Sequence, residues 1–290
     1  STVIINVFVR ATIMKAGKII CITAVILSAV ALAQAGNTEW LGEAGGGDGI
    51  DWTDGLNWTT GFEPKIDDWV LINGPDDNVK IFSGTNAICQ KMRVSNTDPN
   101  VVLTLESGAS LSIQEGAFRL ALNEGGHGTF NMEGGTVSAS STHLHVGYRD
   151  AGIVNQQDGI ANYYNCILGY TATGEGTYNL QDGSMSCAQL QIGSEGIGTF
   201  NMQGGTVETS AIMIIANDAA STGHLELAGG TINAANFGFG DGTASIELSG
   251  GTLNVLDDNG DIQNLIEGYI GDGLITAYGG RGQINLAWDG

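Results

Sequence analysis

The feature that most constrains this chain is a unit that recurs every 20 to 25 residues. Written from its leading glycine, the unit reads GTFNMEGGTVSASSTHLHVGYRDA from Gly128, GIVNQQDGIANYYNCILGYTATGE from Gly152 and GTYNLQDGSMSCAQLQIGSEGI from Gly176. It continues as GTFNMQGGTVETSAIMIIANDAAST from Gly198 and GHLELAGGTINAANFGFGDG from Gly223. A weaker unit begins at Gly108 and a partial one at Thr243, so the starts lie 20, 24, 24, 22, 25 and 20 residues apart. A unit this short cannot enclose a core, and it gains an interior only by stacking on its neighbours. A propeller blade needs four strands and about 40–50 residues, which this period excludes.

Each full unit contains three strand-like pieces, exemplified by Thr129–Met132, Thr136–Ser140 and His143–Gly147. Apolar residues alternate within them, and a period of two turns one face inward and the other outward. The alternation predicts an interior of Phe130, Met132, Val137, Leu144, Val146, Tyr178, Leu180, Leu190, Ile192, Phe200, Met202, Val207, Leu225, Leu227 and Ile232. Paired glycines such as Gly134-Gly135 and Gly204-Gly205 separate the first piece from the second and suit a tight corner. The expected fold is all-β: a three-strand-per-coil parallel β-helix, right-handed, of six or seven coils.

The flanks differ from the repeats. Met14-Lys15-Ala16-Gly17-Lys18, an uncharged run from Ile19 to Leu32, and Ala33-Gln34-Ala35 follow the order of a secretory signal peptide. Residues 1–13 are read as an upstream segment, 14–35 as the signal, 36–83 as an N-terminal cap, 84–255 as the β-helix and 256–290 as a C-terminal cap that is cut short. The N-terminal cap holds Trp40, Trp52, Trp58 and Trp69. The C-terminal cap has the one good helix pattern, Ile262, Leu265, Ile266, Tyr269 and Ile270, with Asp261 as its N-cap and Gly271 as its stop. Strand-like pieces Leu274–Tyr278 and Gln283–Trp288 follow.

The opening with Trp40, Asn57-Trp58, Pro64, Asp67 and Val70, the GTFNMxGGTV units and the closing IEGYIGDGLITAYGGRGQINL together resemble secreted β-helix proteins of environmental bacteria. The coils are similar to autotransporter-associated β-strand repeats, and members of this group often end in a PEP-CTERM-type sorting tail. The resemblance implies a β-helix and export, and it implies no particular activity.

Charge limits the partners. Removing residues 1–35 takes away Arg10, Lys15 and Lys18, leaving seven basic residues against 31 acidic ones, a net charge of −24. That balance disfavours nucleic acid, anionic lipid and polyuronates, and it favours divalent cations. The mature chain is expected to carry no membrane span. Cys89, Cys166 and Cys187 remain, read as small buried hydrophobes.

Candidate sites are few. Tyr148, Tyr163, Tyr164 and Tyr170 form an aromatic set suited to stacking on sugar rings, with interior packing as the alternative. Asp48, Asp51 and Asp54 in GGGDGIDWTDG, and Asp257, Asn259 and Asp261 in the stretch before the helix, are candidate Ca²⁺ ligands, with turn chemistry as the alternative. The second stretch resembles the start of an EF-hand loop but has Ile262 and Gly268 where that loop needs Gly and Glu. His143 and His145, with His127 nearby, suggest a metal site or two solvent-facing side chains. Asn57-Trp58-Thr59 is a glycosylation sequon. Arg149 is the sole Lys or Arg between residues 120 and 280, so it is the one residue there able to act as a lyase base. No catalytic constellation is expected. The leading expectation is an extracellular structural or adhesive solenoid at the cell surface or matrix, stacking end to end into fibres. A polysaccharide-binding module is the first alternative, and a carbohydrate-active lyase or glycosidase is the second.

Overall fold

The computed structural model describes residues 9–15, 18–24, 36–74, 76–95, 97–256, 262–282 and 284. The chain divides into two units, Ser1–Gln34 and Ala35–Gly290. In the first, Val9–Lys15 and Lys18–Ala24 pair as an antiparallel hairpin. The segment expected to be a signal falls largely within this unit.

The second unit is a parallel β-solenoid of about eight turns. Its first sheet has nine strands, one from each pass of the chain, beginning with Asn78–Ile81, Val101–Leu105 and Gly128–Met132 and ending with Thr222–Leu227, Thr243–Leu248 and Ile275–Ala277. Pairing runs strictly coil to coil: Phe130 lies opposite Val154, which lies opposite Tyr178, which lies opposite Phe200. Period-two alternation fixes this register, because a slip of one residue would turn every inward side chain outward. All fifteen residues predicted for the interior are buried, none more than 1% exposed.

The second sheet takes the remaining pieces of each coil. In the coils from Thr136 to Ile215, the second and third pieces run on as one long strand, such as Thr136–Val146 and Thr206–Ile215. The expected break between them is a bulge, seen where the register shifts after Ala139 and after Cys187. A bulge bends a strand without ending it. In the earlier coils the pieces stay separate, as Asn86–Cys89 and Lys91–Val94.

The stack is longer than the repeats suggest. Residues 36–83, expected as a cap, hold Asn37–Glu39, Trp69–Ile72 and Asn78–Ile81, all of which pair in parallel with the following coils. At the other end Ile275–Ala277 adds to the first sheet. These strands lack the GTFNM signature but keep its alternation, which is all that pairing requires. Capping falls to Trp40, Trp52 and Trp58, buried and packed edge to face at 4.8 and 4.9 Å. The helix Ile262–Gly271 lays Tyr269 against Phe237 and Phe239. Asp261 and, apart from Ile284, the expected Gln283–Trp288 strand lie outside the described residues.

Two kinds of glycine build the corners. Gly135, second of its pair, has φ +76, a left-handed conformation that any other residue resists. The leading glycine of each unit serves close approach instead: a Cβ on Gly198 would lie 2.0 Å from the Gly193 backbone N. On the outer face of the first sheet Asn131, Asn155, Asn179 and Asn201 form a ladder in which the amides of Asn155, Asn179 and Asn201 each donate to the Oδ1 of the preceding coil's Asn at 2.8–2.9 Å.

Candidate ligand-binding face

The third pieces of successive coils present two outward rows. One runs Leu71, Arg93, Arg119, His145, Ile167, Gln191 in direct register. The other, two residues earlier, includes Trp69, Lys91, His143, Asn165 and Gln189. Coil stacking thus gathers Lys91, Arg93 and Arg119 on one face, with Arg149 beside them. Those are four of the seven basic residues of 36–290, in an otherwise acidic chain. Among the described residues none of the four pairs with a carboxylate.

Aromatic rings fill the spaces between these cations. Tyr148 and Tyr170 follow the third pieces of adjacent coils, and their rings stack at 4.8 Å, 12° from parallel. That separation is the strand spacing of the coils themselves. The Arg119 guanidinium covers Tyr148 at 4.7 Å, Arg149 approaches it at 5.9 Å, and Lys91 sits 4.1 Å over Trp69. His145 stacks on Tyr170 at 4.2 Å, and His143 meets Tyr164 edge-on at 5.2 Å.

The two histidines correct the expectation that both face solvent. His145 is 6% exposed, because Tyr148 and Tyr170 in the turns after the strands fold back over it. Burial, then the charge of Arg119, then His143 push its pKa down to about 3. Burial and Arg119 lower His143 as well. His145 is therefore neutral at ordinary pH, and its Nδ1 has no hydrogen-bond partner; the buried Nε of Arg119 has none either. His127 stands apart, paired with Asp150 at 3.3 Å. The unfolded value of His145, near 6.5, exceeds its folded one, so this residue supports folding fully above pH 6.5 and loses that support as pH falls toward 3. Its imidazole NMR signals are expected not to titrate between pH 8 and 4.5. His145→Phe is expected to remove about 2 kcal/mol of the stability lost between pH 6.5 and 5.

The tyrosine set divides. Tyr163 is 3% exposed, packed near Tyr178, Cys166 and Cys187, and reaches only the wall of the groove that Tyr164 lines. Tyr164 is 49% exposed and lines an open groove of roughly 420 Å³ with Ser140, Ser186, Ala188, Glu208 and Ser210. Tyr148 and Tyr170 cover each other's faces and offer edges and hydroxyls. Arg149, the one lyase-base candidate, stands over Tyr148.

The N-terminal acids are engaged in turns. Asp48 accepts hydrogen bonds from Asp51 N, the Asn57 amide and Ile50 N, which together lower its pKa. Asp51 accepts from Thr53 N and Oγ1, and Asp54 from Leu56 N and Asp48 N. A Ca²⁺ site needs six to eight oxygens converging on one point. Among the described residues no group of three or more His, Cys, Asp or Glu is so placed. Asp257, Asn259 and Asp261 lie outside the described residues. Asn57 of the sequon is fully buried and its amide is committed to Asp48 and to the Asp51 carbonyl, so it is no acceptor in the folded protein. Cys89, Cys166 and Cys187 are buried free thiols, pushed up by burial.

Sequence reasoning missed Arg93, Arg119 and Lys91 because they precede the clear repeats; carrying the coil register back from His145 would have aligned them. No protein-family model matches the chain, and neither a curated protein nor a solved structure matches it.

Proposed function

We propose that the protein is a rigid extracellular adhesive solenoid that holds polysaccharide along one flank. The observation carrying this reading is the exposed ring of Tyr164 in an open groove lined by Ser140, Ser186 and Ser210 from coils of one stack. Open Tyr164 supplies a ring for a sugar to lie on. Ser140, Ser186 and Ser210 come from the first, third and fourth of four consecutive coils, with Tyr164 on the second, so a linear polymer running along the stack meets the ring and then further hydroxyls. Aromatic surfaces flanked by a few placed polar groups are what a sugar site requires. The export-type segment at 14–35 supports an extracellular setting.

The test is retention on insoluble polysaccharides and on a glycan array. Binding is expected, with Tyr164→Ala weakening it about tenfold, equivalent to ~1.4 kcal/mol. Uniform failure to bind any glycan overturns the reading.

A second reading, end-to-end self-assembly, is favoured by the far end of the second sheet. Thr252–Val255 is its last strand, and Leu256 beside it is 65% exposed. An unpaired strand edge is a template for another strand. Filaments in electron micrographs support this reading, and uniformly short rods oppose it.

A further inference from the structure

We infer that the row Arg93, Arg119 and His145 is a built site for the carboxylates of an acidic, uronate-type polysaccharide; the inference rests on the polysaccharide-binding reading above.

Folding alone does not account for this row. Arg93 and Arg119 are direct register partners on adjacent parallel coils, with backbones about 4.8 Å apart. Like charges placed directly opposite one another destabilise a sheet. Among the described residues no carboxylate offsets them, although the chain has 31 acids. Glu39 stands in the same row but two coils before Arg93, Glu115 accepts from the Gln90 amide, and Asp150 accepts from Gly125 N, Ala151 N and His127. An anion placed over the row would remove the repulsion.

The row also has open hydrogen-bonding capacity in a buried setting. His145 is only 6% exposed, and its Nδ1 is unpartnered; so is the buried Nε of Arg119 in the preceding coil. Buried polar groups are nearly always satisfied in native proteins, and because Tyr148 and Tyr170 cover these atoms, a ligand oxygen that completes them must enter by displacing a tyrosine ring. Held neutral by its surroundings, His145 can donate from Nδ1 in the appropriate tautomer without adding charge. Tyr148, itself backed by Tyr170, stacks on the Arg119 guanidinium and orients it.

The chemistry selects the class of anion. A guanidinium is planar and pairs two N–H groups with the two oxygens of a planar carboxylate. Two such forks one strand spacing apart suit acids borne on a repeating polymer. The net charge of the chain opposes a polyanion only weakly, because at 0.1 M salt charges more than about 10 Å away are largely screened, whereas contact with an unpaired Arg is local. The sequence-based expectation that polyuronates are repelled rests on the charge of the molecule as a whole, and this face departs from it.

The experiment is calorimetric titration of the protein with polygalacturonate, its fully methyl-esterified form, dextran and dextran sulfate. Polygalacturonate is expected to bind, with esterification weakening it at least thirtyfold. Arg93→Gln and Arg119→Gln are each expected to weaken it about ten- to a hundredfold, and Arg119→Lys, which keeps the charge and loses the fork, by less. Unchanged circular dichroism keeps a folding defect separate from a binding defect. Equal affinity for esterified polymer or dextran overturns the inference and leaves the polysaccharide reading standing. Binding of polygalacturonate that is indifferent to both Arg variants overturns the site. Dextran sulfate binding as tightly as polygalacturonate overturns the choice of carboxylate. No binding to any polymer overturns the inference together with the reading beneath it.

Discussion

Gly198→Ala is expected to destabilise the solenoid by about 3–5 kcal/mol and to broaden its guanidinium unfolding into two stages. The added methyl would lie 2.0 Å from Gly193 N and 2.7 Å from Ile192 C. These are backbone atoms of the preceding corner, and they cannot retreat without breaking the hydrogen bonds that hold adjacent coils. The Ile197–Met202 strand would be lifted from Glu175–Leu180, which it pairs over its full length. Each coil touches mainly its two neighbours, so a damaged interface in mid-stack uncouples the coils on either side. Gly268→Ala provides the contrast. Gly268 lies inside the helix, and nothing stands within 4 Å of the place a methyl would take, so the same substitution is expected to stabilise by up to about 1 kcal/mol. Equal effects at the two positions would refute the close-approach argument.

Trp58→Ala is expected to cost about 3–5 kcal/mol and to shift the tryptophan emission of the remaining residues to the red. Trp58 is 1% exposed, lies between Trp40 and Trp52, and donates its indole N–H to the Trp52 carbonyl at 2.8 Å. Its loss leaves a cavity, an unsatisfied buried carbonyl and an open first coil. Trp69→Ala, by comparison, removes a side chain that is 41% exposed and packs under Lys91. It is expected to cost well under half as much while altering the candidate face. A small loss for Trp58→Ala would mean that the indole cluster is not what closes this end.

The interior was legible in the sequence because period-two alternation and a near-constant repeat specify which side chains point inward. The limits of the stack were not. Trp69–Ile72 and Ile275–Ala277 keep only the alternation, which suffices for pairing but leaves no repeat signature to find. The merging of the second and third pieces was also hidden, since Ser141 and Thr142 fall between them in the sequence pattern and the chain makes a bulge there. At the candidate face, His145 looked exposed because its strand alternates Leu144 and Val146 inward. What buries it is Tyr148 and Tyr170, one of them from the next coil, and such a roof appears only when the register between coils is known. Arg93 and Arg119 were separated in the sequence from His145 by whole coils and carried no local signal of shared purpose. The acids near Asp48 showed the opposite: a dense local cluster that suggested a cation, while the backbone N–H groups around them take up the same oxygens.

Because every coil is hydrogen-bonded only to the coils before and after it, a pull between the two ends of the stack passes through all interfaces in series. The weakest interface yields first while the others remain intact. Each yield frees one unit of 20 to 25 residues, about 70–85 Å of extended chain. A stack built this way lengthens in steps under load and dissipates work at each one, so tension across it falls gradually instead of in a single rupture.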